Sequence, residues 1–183
     1  MSEQHVIQHC APTLAGLKSG SMFSCEIQST QALLGEVARL NRALHAKGVC
    51  IVVLRRSEKC ALIYLYRKSH LQNMLADRRA RALLSALGYP LHSVEKCVAR
   101  LAANVRSSAD FPHEIGLFLG YPIEDVEGFI SKGPRHCKTV GYWKVYGDAA
   151  AAGRRFAQLR KCHRAYAALF ESGRSLERLT VTC

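Results

Sequence analysis

Apolar residues recur along the chain with the spacing of amphipathic helices over much of its length. An apolar side chain every three or four positions predicts a helix between Ser29 and Gly48, with Ser29 or its neighbour as the N-cap. The same spacing predicts helices that begin near Ser69, after Ser93 and after Asp148. These segments predict a molecule that is largely helical.

Three other segments have the pattern of strands. Residues 49–54 and 61–67 are apolar runs joined by a short charged loop, which predicts a β-hairpin. Residues 141–146 alternate aromatic and polar side chains between two glycines and predict a further strand. We therefore predict an α+β fold: a small antiparallel sheet of three to four strands, packed by five to six helices. The chain, residues 1–183, is expected to form a single globular domain with a frayed tail from 173 to 183.

The segment 111–122 has an unusual concentration of aromatic, proline and glycine residues around a histidine and a carboxylate. Pro112 suits the first turn of a helix, so the pattern predicts a helix from about 112 to 119 with His113 and Glu114 in its first turn. The helix dipole there favours the Glu114 carboxylate and a neutral His113. A neutral imidazole beside a carboxylate suits a general base or a metal ligand. The alternative is that Glu114 caps the helix and His113 makes one structural hydrogen bond.

Cys10 is the second candidate for chemistry. Pro12 predicts a helix that starts near it, which would place Cys10 at a helix N-terminus, where the pKa of a thiol falls. A thiolate, an imidazole and a carboxylate together suit zinc or iron binding, or a cysteine nucleophile activated by a histidine base. We therefore take Cys10, His113 and Glu114 as candidate catalytic residues, with His9 nearby. Cys10, His113 and Cys162 are the candidate metal ligands.

The remaining cysteines do not suggest a metal site or a disulfide framework. The eight cysteines are scattered, and no two have the CxxC spacing that is typical of zinc knuckles, thioredoxins or iron–sulfur proteins. We interpret them as reduced thiols, most of them in the core. The first residues contain no apolar signal segment, and no run is long enough to span a membrane. We expect a cytoplasmic protein without a membrane partner.

The chain carries a formal net charge of +12, which is unevenly distributed. Basic residues are in excess in 49–110 and in 149–183, whereas 111–148 is balanced. Such a field attracts an anionic ligand or a nucleic acid, although a solvated basic surface has the same composition. Lys18, in a stretch that only hints at a phosphate loop, and Arg67 and Lys68, at the end of the second predicted strand, are the candidate anion-binding residues.

A helix-turn-helix is excluded for the segment 111–132, although its glycines and apolar residues have the spacing of that motif. The second helix would enter the major groove, but it carries Glu124, Asp125 and Glu127 and no Arg, Asn or Gln to read bases. Three carboxylates would be repelled by the phosphates.

Four stretches together resemble one protein family. They are 9–18 (HCAPTLAGLK), 62–67 (LIYLYR), 111–130 and 141–146 (GYWKVY). The resemblance is to a family of bacterial proteins known as domain of unknown function 3793, and it covers nearly the whole chain. It implies a bacterial origin and a single-domain architecture, and it brings no activity or catalytic residue with it.

Three functions remain open at this point. One is a thiol- or metal-dependent site built from Cys10, His113 and Glu114. The second is a basic protein that binds nucleic acid or a nucleotide, although no RNA-binding signature is present. The third is a protein-interaction module without enzymatic activity.

Overall fold

A computed structural model describes residues 1–108 and 110–182. The described strands are β1 (Gly20–Glu26), β2 (Val49–Arg56), β3 (Cys60–Arg67), β4 (Thr139–Val140) and β5 (Lys144–Val145). The described helices are α1 (Glu3–Leu14), α2 (Thr30–Leu44), α3 (Lys68–Ala76), α4 (Arg78–Ala86), α5 (Val94–Ser107), α6 (Ile115–Phe118), α7 (Ile123–Lys132), α8 (Ala149–Glu171) and α9 (Leu176–Leu179). The predicted α+β class is confirmed.

The main sheet is antiparallel with the order β1-β3-β2. The predicted hairpin forms its β2–β3 half, with Val49 opposite Arg67. The prediction that 141–146 belongs to this sheet is wrong, because β5 pairs with β4 in a separate two-stranded hairpin. The third strand is instead β1, which pairs with β3 from Gly20 opposite Tyr66 to Glu26 opposite Cys60.

Helices cover both faces of the sheet, and each face has its own apolar cluster. On one face, α1, α2 and α9 pack on alternate residues of the strands, such as Phe23, Ile51 and Ile63. On the other face, α3 to α7 pack on the residues between them, such as Leu62 and Tyr64. Because β3 lies in the middle of the sheet and is covered on both sides, seven of its residues are buried, which explains its continuous apolar sequence.

Several helix boundaries differ from the prediction. The helix predicted from Ser69 is broken at Asp77, whose side chain caps α4 by accepting a hydrogen bond from the Ala80 N–H. The helix predicted over 112–119 is only the four residues of α6, preceded by a turn. The tail predicted to fray from Gly173 instead contains α9, whose Leu176 and Leu179 are buried. Cys183 lies outside the described residues.

Arg67 ties this tail to the rest of the molecule. Its side chain is fully buried at the end of β3. The guanidinium donates to four backbone carbonyls, those of Thr13, Leu14, Lys47 and Val181. Arg67 was a candidate anion-binding residue, but its N–H groups already bind carbonyl oxygens in the interior. It is a structural residue.

The outer edge of β2 is occupied by side chains. The Asn41 amide donates to the Ile51 carbonyl and accepts from the Ile51 N–H, both at 2.8 Å. Further along the same strand, Arg106 donates to the Leu54 carbonyl at 3.1 Å. Side chains from α2 and α5 therefore take hydrogen-bonding positions that another strand would use.

Within the described part of the chain, every helix is too short or too polar to cross a lipid bilayer.

Candidate ligand-binding site

Two glycines bring the segment after α1 against the segment after α6. A Cβ on Gly20 would lie 2.6 Å from the Phe118 carbonyl oxygen, so only glycine allows this approach. Gly120 has φ +75°, which favours glycine, and a Cβ there would lie 2.9 Å from the Ser19 nitrogen. The two close contacts place Lys18 beside Tyr121, with the ammonium 5.4 Å from the ring centroid.

An aromatic cleft of about 290 Å³ lies next to this junction. Its aromatic lining residues come from three segments and are Phe111, Tyr121, Phe129, Tyr142 and Trp143. Tyr121 stacks on Trp143 with centroids 5.0 Å apart, and Tyr121 also donates a hydrogen bond to the Tyr142 carbonyl at 3.2 Å. The exposed His113 lies at the cleft edge-on to Phe129, with centroids 4.9 Å apart. The cleft can accept a flat, largely apolar group.

Asp125 holds the wall of the aromatic cleft in place. Its buried carboxylate accepts from the Trp143 indole N–H at 2.7 Å and from the backbone N–H groups of Tyr146 and Gly147 at 2.7 and 2.8 Å. Asp125 lies on α7, and the three donors lie just before and just after β5. The carboxylate therefore fixes the β4–β5 hairpin, and with it Trp143, against α7.

A basic pocket of about 320 Å³ lies on the other side of Tyr142. Lys18, His9, His163, Ser21 and Tyr142 line it, with Gln8. His163 comes from α8 and stacks on Tyr142 with centroids 6.0 Å apart and planes 8° apart. Among the described lining residues there is no carboxylate. The basic pocket therefore concentrates nitrogen donors from α1, α8 and the loop that follows α1.

Burial and mutual repulsion make these basic groups easier to deprotonate than usual. Burial lowers the pKa of Lys18 to about 8, although the nearby Cys10 works in the opposite direction. Burial lowers the pKa of His163 as well, and the charges of Lys18 and His9 add to that effect. Burial and the neighbouring His5 lower the pKa of His9. At neutral pH we expect a charged Lys18 with two largely neutral imidazoles.

The two cavities adjoin. Tyr142 lines both of them. Tyr121 lines the aromatic cleft and has the Lys18 ammonium over its ring. The ring of Tyr142 is therefore a wall that the two cavities share, and the Lys18 ammonium lies over the ring of a residue that lines the cleft.

Comparison with known proteins places the chain in a family. A family model described as a protein of unknown function, DUF3793, matches residues 6–180. The chain belongs to the DUF3793 family. No curated protein and no solved structure matches it. The resemblance read from the sequence is confirmed, and the function of this DUF3793 member must be argued from its own geometry.

The position predicted for Cys10 is wrong. Ser2 caps α1 by accepting from the His5 N–H, so Cys10 lies deep in the helix rather than at its N-terminus. Pro12 lies inside α1, in its last turn, and its missing N–H costs the helix one hydrogen bond. Cys10 is fully buried, and this burial raises the pKa of its thiol far above the usual range, against a smaller opposing effect of Lys18. A thiolate is therefore disfavoured at this position.

The side chains of His113 and Glu114 face different parts of this DUF3793 member. The Glu114 carboxylate is buried and accepts from the Tyr89 hydroxyl at 2.7 Å and from the Asn104 amide at 3.4 Å. It faces α5, whereas His113 faces the aromatic cleft. The predicted orientation of His113 by Glu114 is not observed. Cys10 packs in the apolar cluster of α1 and α2, and none of the described cavities is lined by both Cys10 and His113.

The predicted metal ligands are not grouped. Cys162 is buried on α8, and burial raises the pKa of its thiol to about 11. Among the described residues, no group of three or more His, Cys, Asp or Glu side chains is placed to hold a metal ion. The proximity that zinc or iron binding requires cannot be read from sequence spacing, because each candidate comes from a distant segment.

The candidate anion-binding residues have different environments. Lys68 pairs with Glu95 at 2.5 Å on the surface, so its charge is already matched. Lys18 lies in the basic pocket. The sequence analysis did not name His163 as a site residue, since it falls on the apolar stripe of a helix. It singled out the segment that contains Tyr121 but gave this residue no role. The signal that can find Tyr121 is its position directly after Gly120, a residue required by the backbone turn.

Proposed function

We propose that this DUF3793 member binds a small anionic ligand, a phosphate, a phosphate monoester or a carboxylate, in the basic pocket. The observation that carries the proposal is the convergence of Lys18, His9 and His163 on one cavity without an acidic lining residue among those described. Ser21 and Gln8 add polar groups to the same cavity. The three basic side chains come from separate parts of the chain, so their meeting is a product of the fold rather than of local sequence.

Charge balance supports an anion as the occupant. The lowered pKa values of Lys18, His9 and His163 mean that their charged forms are disfavoured in the free protein. An anion within hydrogen-bonding distance would favour the charged forms and recover this energy. Hydrogen bonds between charged groups and phosphate are about twice as strong as neutral ones. The remainder of the +12 charge would help to attract such a ligand.

The test is a binding measurement with ribose 5-phosphate and inorganic phosphate, made by isothermal titration calorimetry at low ionic strength. Lys18→Met should weaken binding roughly tenfold to a hundredfold, because a charged hydrogen bond contributes about 1.5–3 kcal/mol. Lys161→Met is the matched control: it removes the same charge from an exposed position on α8. The control should retain most of the affinity.

The pH dependence of the same titration provides a second readout. The Lys18 pKa of about 8 in the free protein means that its charge is lost as the pH rises through 8. Binding an anion should then require proton uptake, and affinity should fall by up to about tenfold per pH unit above 8. At acidic pH affinity should rise as His9 and His163 become protonated, and the rise should come at a lower pH than for an ordinary histidine, because burial lowers both pKa values. The nearby Cys10 stays neutral throughout this range.

Two results would contradict the proposal. Equal affinity of the wild-type and Lys18→Met proteins would remove the basic pocket as the site. Equal losses in Lys18→Met and Lys161→Met would mean that anions are attracted by the general positive charge. The exposed residues Arg154, Arg160, Lys161 and Arg164 of α8 would then be favoured as a surface for a nucleic acid.

A further inference from the structure

The aromatic cleft has the composition of a ring-binding site. Five of its lining side chains are aromatic, and few polar atoms reach it. Its volume of about 290 Å³ is near the lower limit of about 300 Å³ for small-molecule pockets, which suits a ring system rather than a larger molecule. Rigid aromatic walls favour flat occupants, because stacking does not require the side chains to rearrange.

The walls of the cleft are held in place before any ligand arrives. Trp143 is fixed by Asp125 through its indole N–H, and Tyr121 is fixed by its hydrogen bond to the Tyr142 carbonyl. Gly116 is packed so closely that a Cβ there would lie 2.8 Å from a Val126 methyl carbon. A preformed site loses little entropy when it binds a ligand.

Polar side chains at the rim of the cleft favour a ring that carries heteroatoms. The exposed His113 can donate or accept a hydrogen bond at the rim. The Lys18 ammonium lies beyond Tyr121, one side chain away. A ligand that places a ring in the cleft and an anionic group at Lys18 has to pass the rings of Tyr121 and Tyr142, so a linker has to join its two groups.

We propose that the ligand of the basic pocket also carries a planar heteroaromatic ring, which stacks in the aromatic cleft, so that the ligand class is that of the nucleoside monophosphates. This inference rests on the proposed function, because the anionic group is assigned to the basic pocket. The cleft would supply the recognition of the ring through Trp143, Tyr121 and Phe129. The basic pocket would supply recognition of the phosphate.

The experiment compares four probes: ribose 5-phosphate, adenosine, adenosine 5′-monophosphate and cytidine 5′-monophosphate. At least one nucleotide should bind roughly tenfold to a hundredfold more tightly than ribose 5-phosphate, as expected for stacking of one base on aromatic side chains. Trp143 is the one tryptophan of the chain, so its fluorescence reports on the cleft. Nucleotides should change this fluorescence, and ribose 5-phosphate should not.

Phe111→Ala is the variant that tests the cleft. Phe111 is 45% exposed and lines the cleft, so its removal should not unfold the protein. The substitution should weaken nucleotide binding several-fold while ribose 5-phosphate affinity stays unchanged. Leu34→Ala, a change at a residue 54% exposed on α2, is the matched control and should alter neither.

The outcomes separate this inference from the proposed function. If nucleotides and ribose 5-phosphate bind equally, and both depend on Lys18, the ring site is overturned and the anion site stands. If adenosine binds as tightly as its monophosphate and Lys18→Met has no effect, the anion site is overturned. If none of the four probes binds, both are overturned.

Discussion

At the scale of single residues, burial decides which of the reactive or charged side chains are accessible to a ligand. Cys10 has a nucleophilic sulfur, but it is fully buried and next to Ser21, whose hydroxyl it contacts. Lys18 is half-buried and opens onto a pocket. The sequence identifies both residues as candidates and cannot rank them, because burial depends on contacts with distant segments.

The burial of Cys10 can be measured by comparing its reactivity with that of the exposed Cys60. Under native conditions iodoacetamide should label the exposed Cys60 first and leave Cys10 unmodified, because a buried neutral thiol is neither accessible nor nucleophilic. Peptide mass spectrometry over a time course measures each site, and labelling in denaturant provides the control in which all thiols react. Labelling of Cys10 as fast as Cys60 would contradict the environment described for it.

At the scale of elements, local sequence patterns predicted several of the helices and strands, whereas contacts between distant residues set their arrangement. The caps Ser29, Ser93 and Asp148 begin α2, α5 and α8 as predicted. Capping and periodicity are local, so they can be read from the chain. The separation of the β4–β5 hairpin from the main sheet could not be read, since it depends on the Asp125 carboxylate and on Gly141. A Cβ on Gly141 would lie 2.2 Å from the Phe156 ring.

The contribution of Asp125 to the hairpin can be tested with a nearly isosteric change. In Asp125→Asn, an amide N–H would face one of the three donors, so at least one hydrogen bond is lost inside the protein. We expect a loss of about 2 kcal/mol in the free energy of unfolding, together with a red shift of Trp143 fluorescence. Urea unfolding and emission spectra measure these. Glu58→Gln in the exposed β2–β3 turn is the control and should change neither.

At the scale of the whole molecule, one buried cation connects the two ends of the chain. Arg67 binds carbonyls from the end of α1, from the segment before β2 and from Val181, two residues after α9. Lys47 reinforces the same junction by donating to the carbonyls of Glu177 and Thr180. The sequence suggests that Arg67 ends a strand and gives no sign of these partners, because they are backbone atoms up to 114 positions away.

Removal of this cation should destabilise the entire fold. Arg67→Met leaves several buried carbonyls without donors, and we expect a loss of about 3 kcal/mol or more in the free energy of unfolding. Chemical denaturation followed by circular dichroism provides the value. Arg78→Met, at an exposed position in α4, should stay within about 0.5 kcal/mol of the wild type. Equal effects of the two substitutions would mean that Arg67 contributes only its charge.

The occupied edge of β2 has a consequence for the behaviour of the protein at high concentration. An exposed strand edge is a template on which another chain can add a strand, and this leads to fibres or precipitates. Because Asn41 binds both backbone groups of Ile51, an incoming strand would first have to displace α2 from this edge. The amide of Asn41 thus hinders the addition of another strand to the edge of β2, and it does so for as long as α2 stays folded.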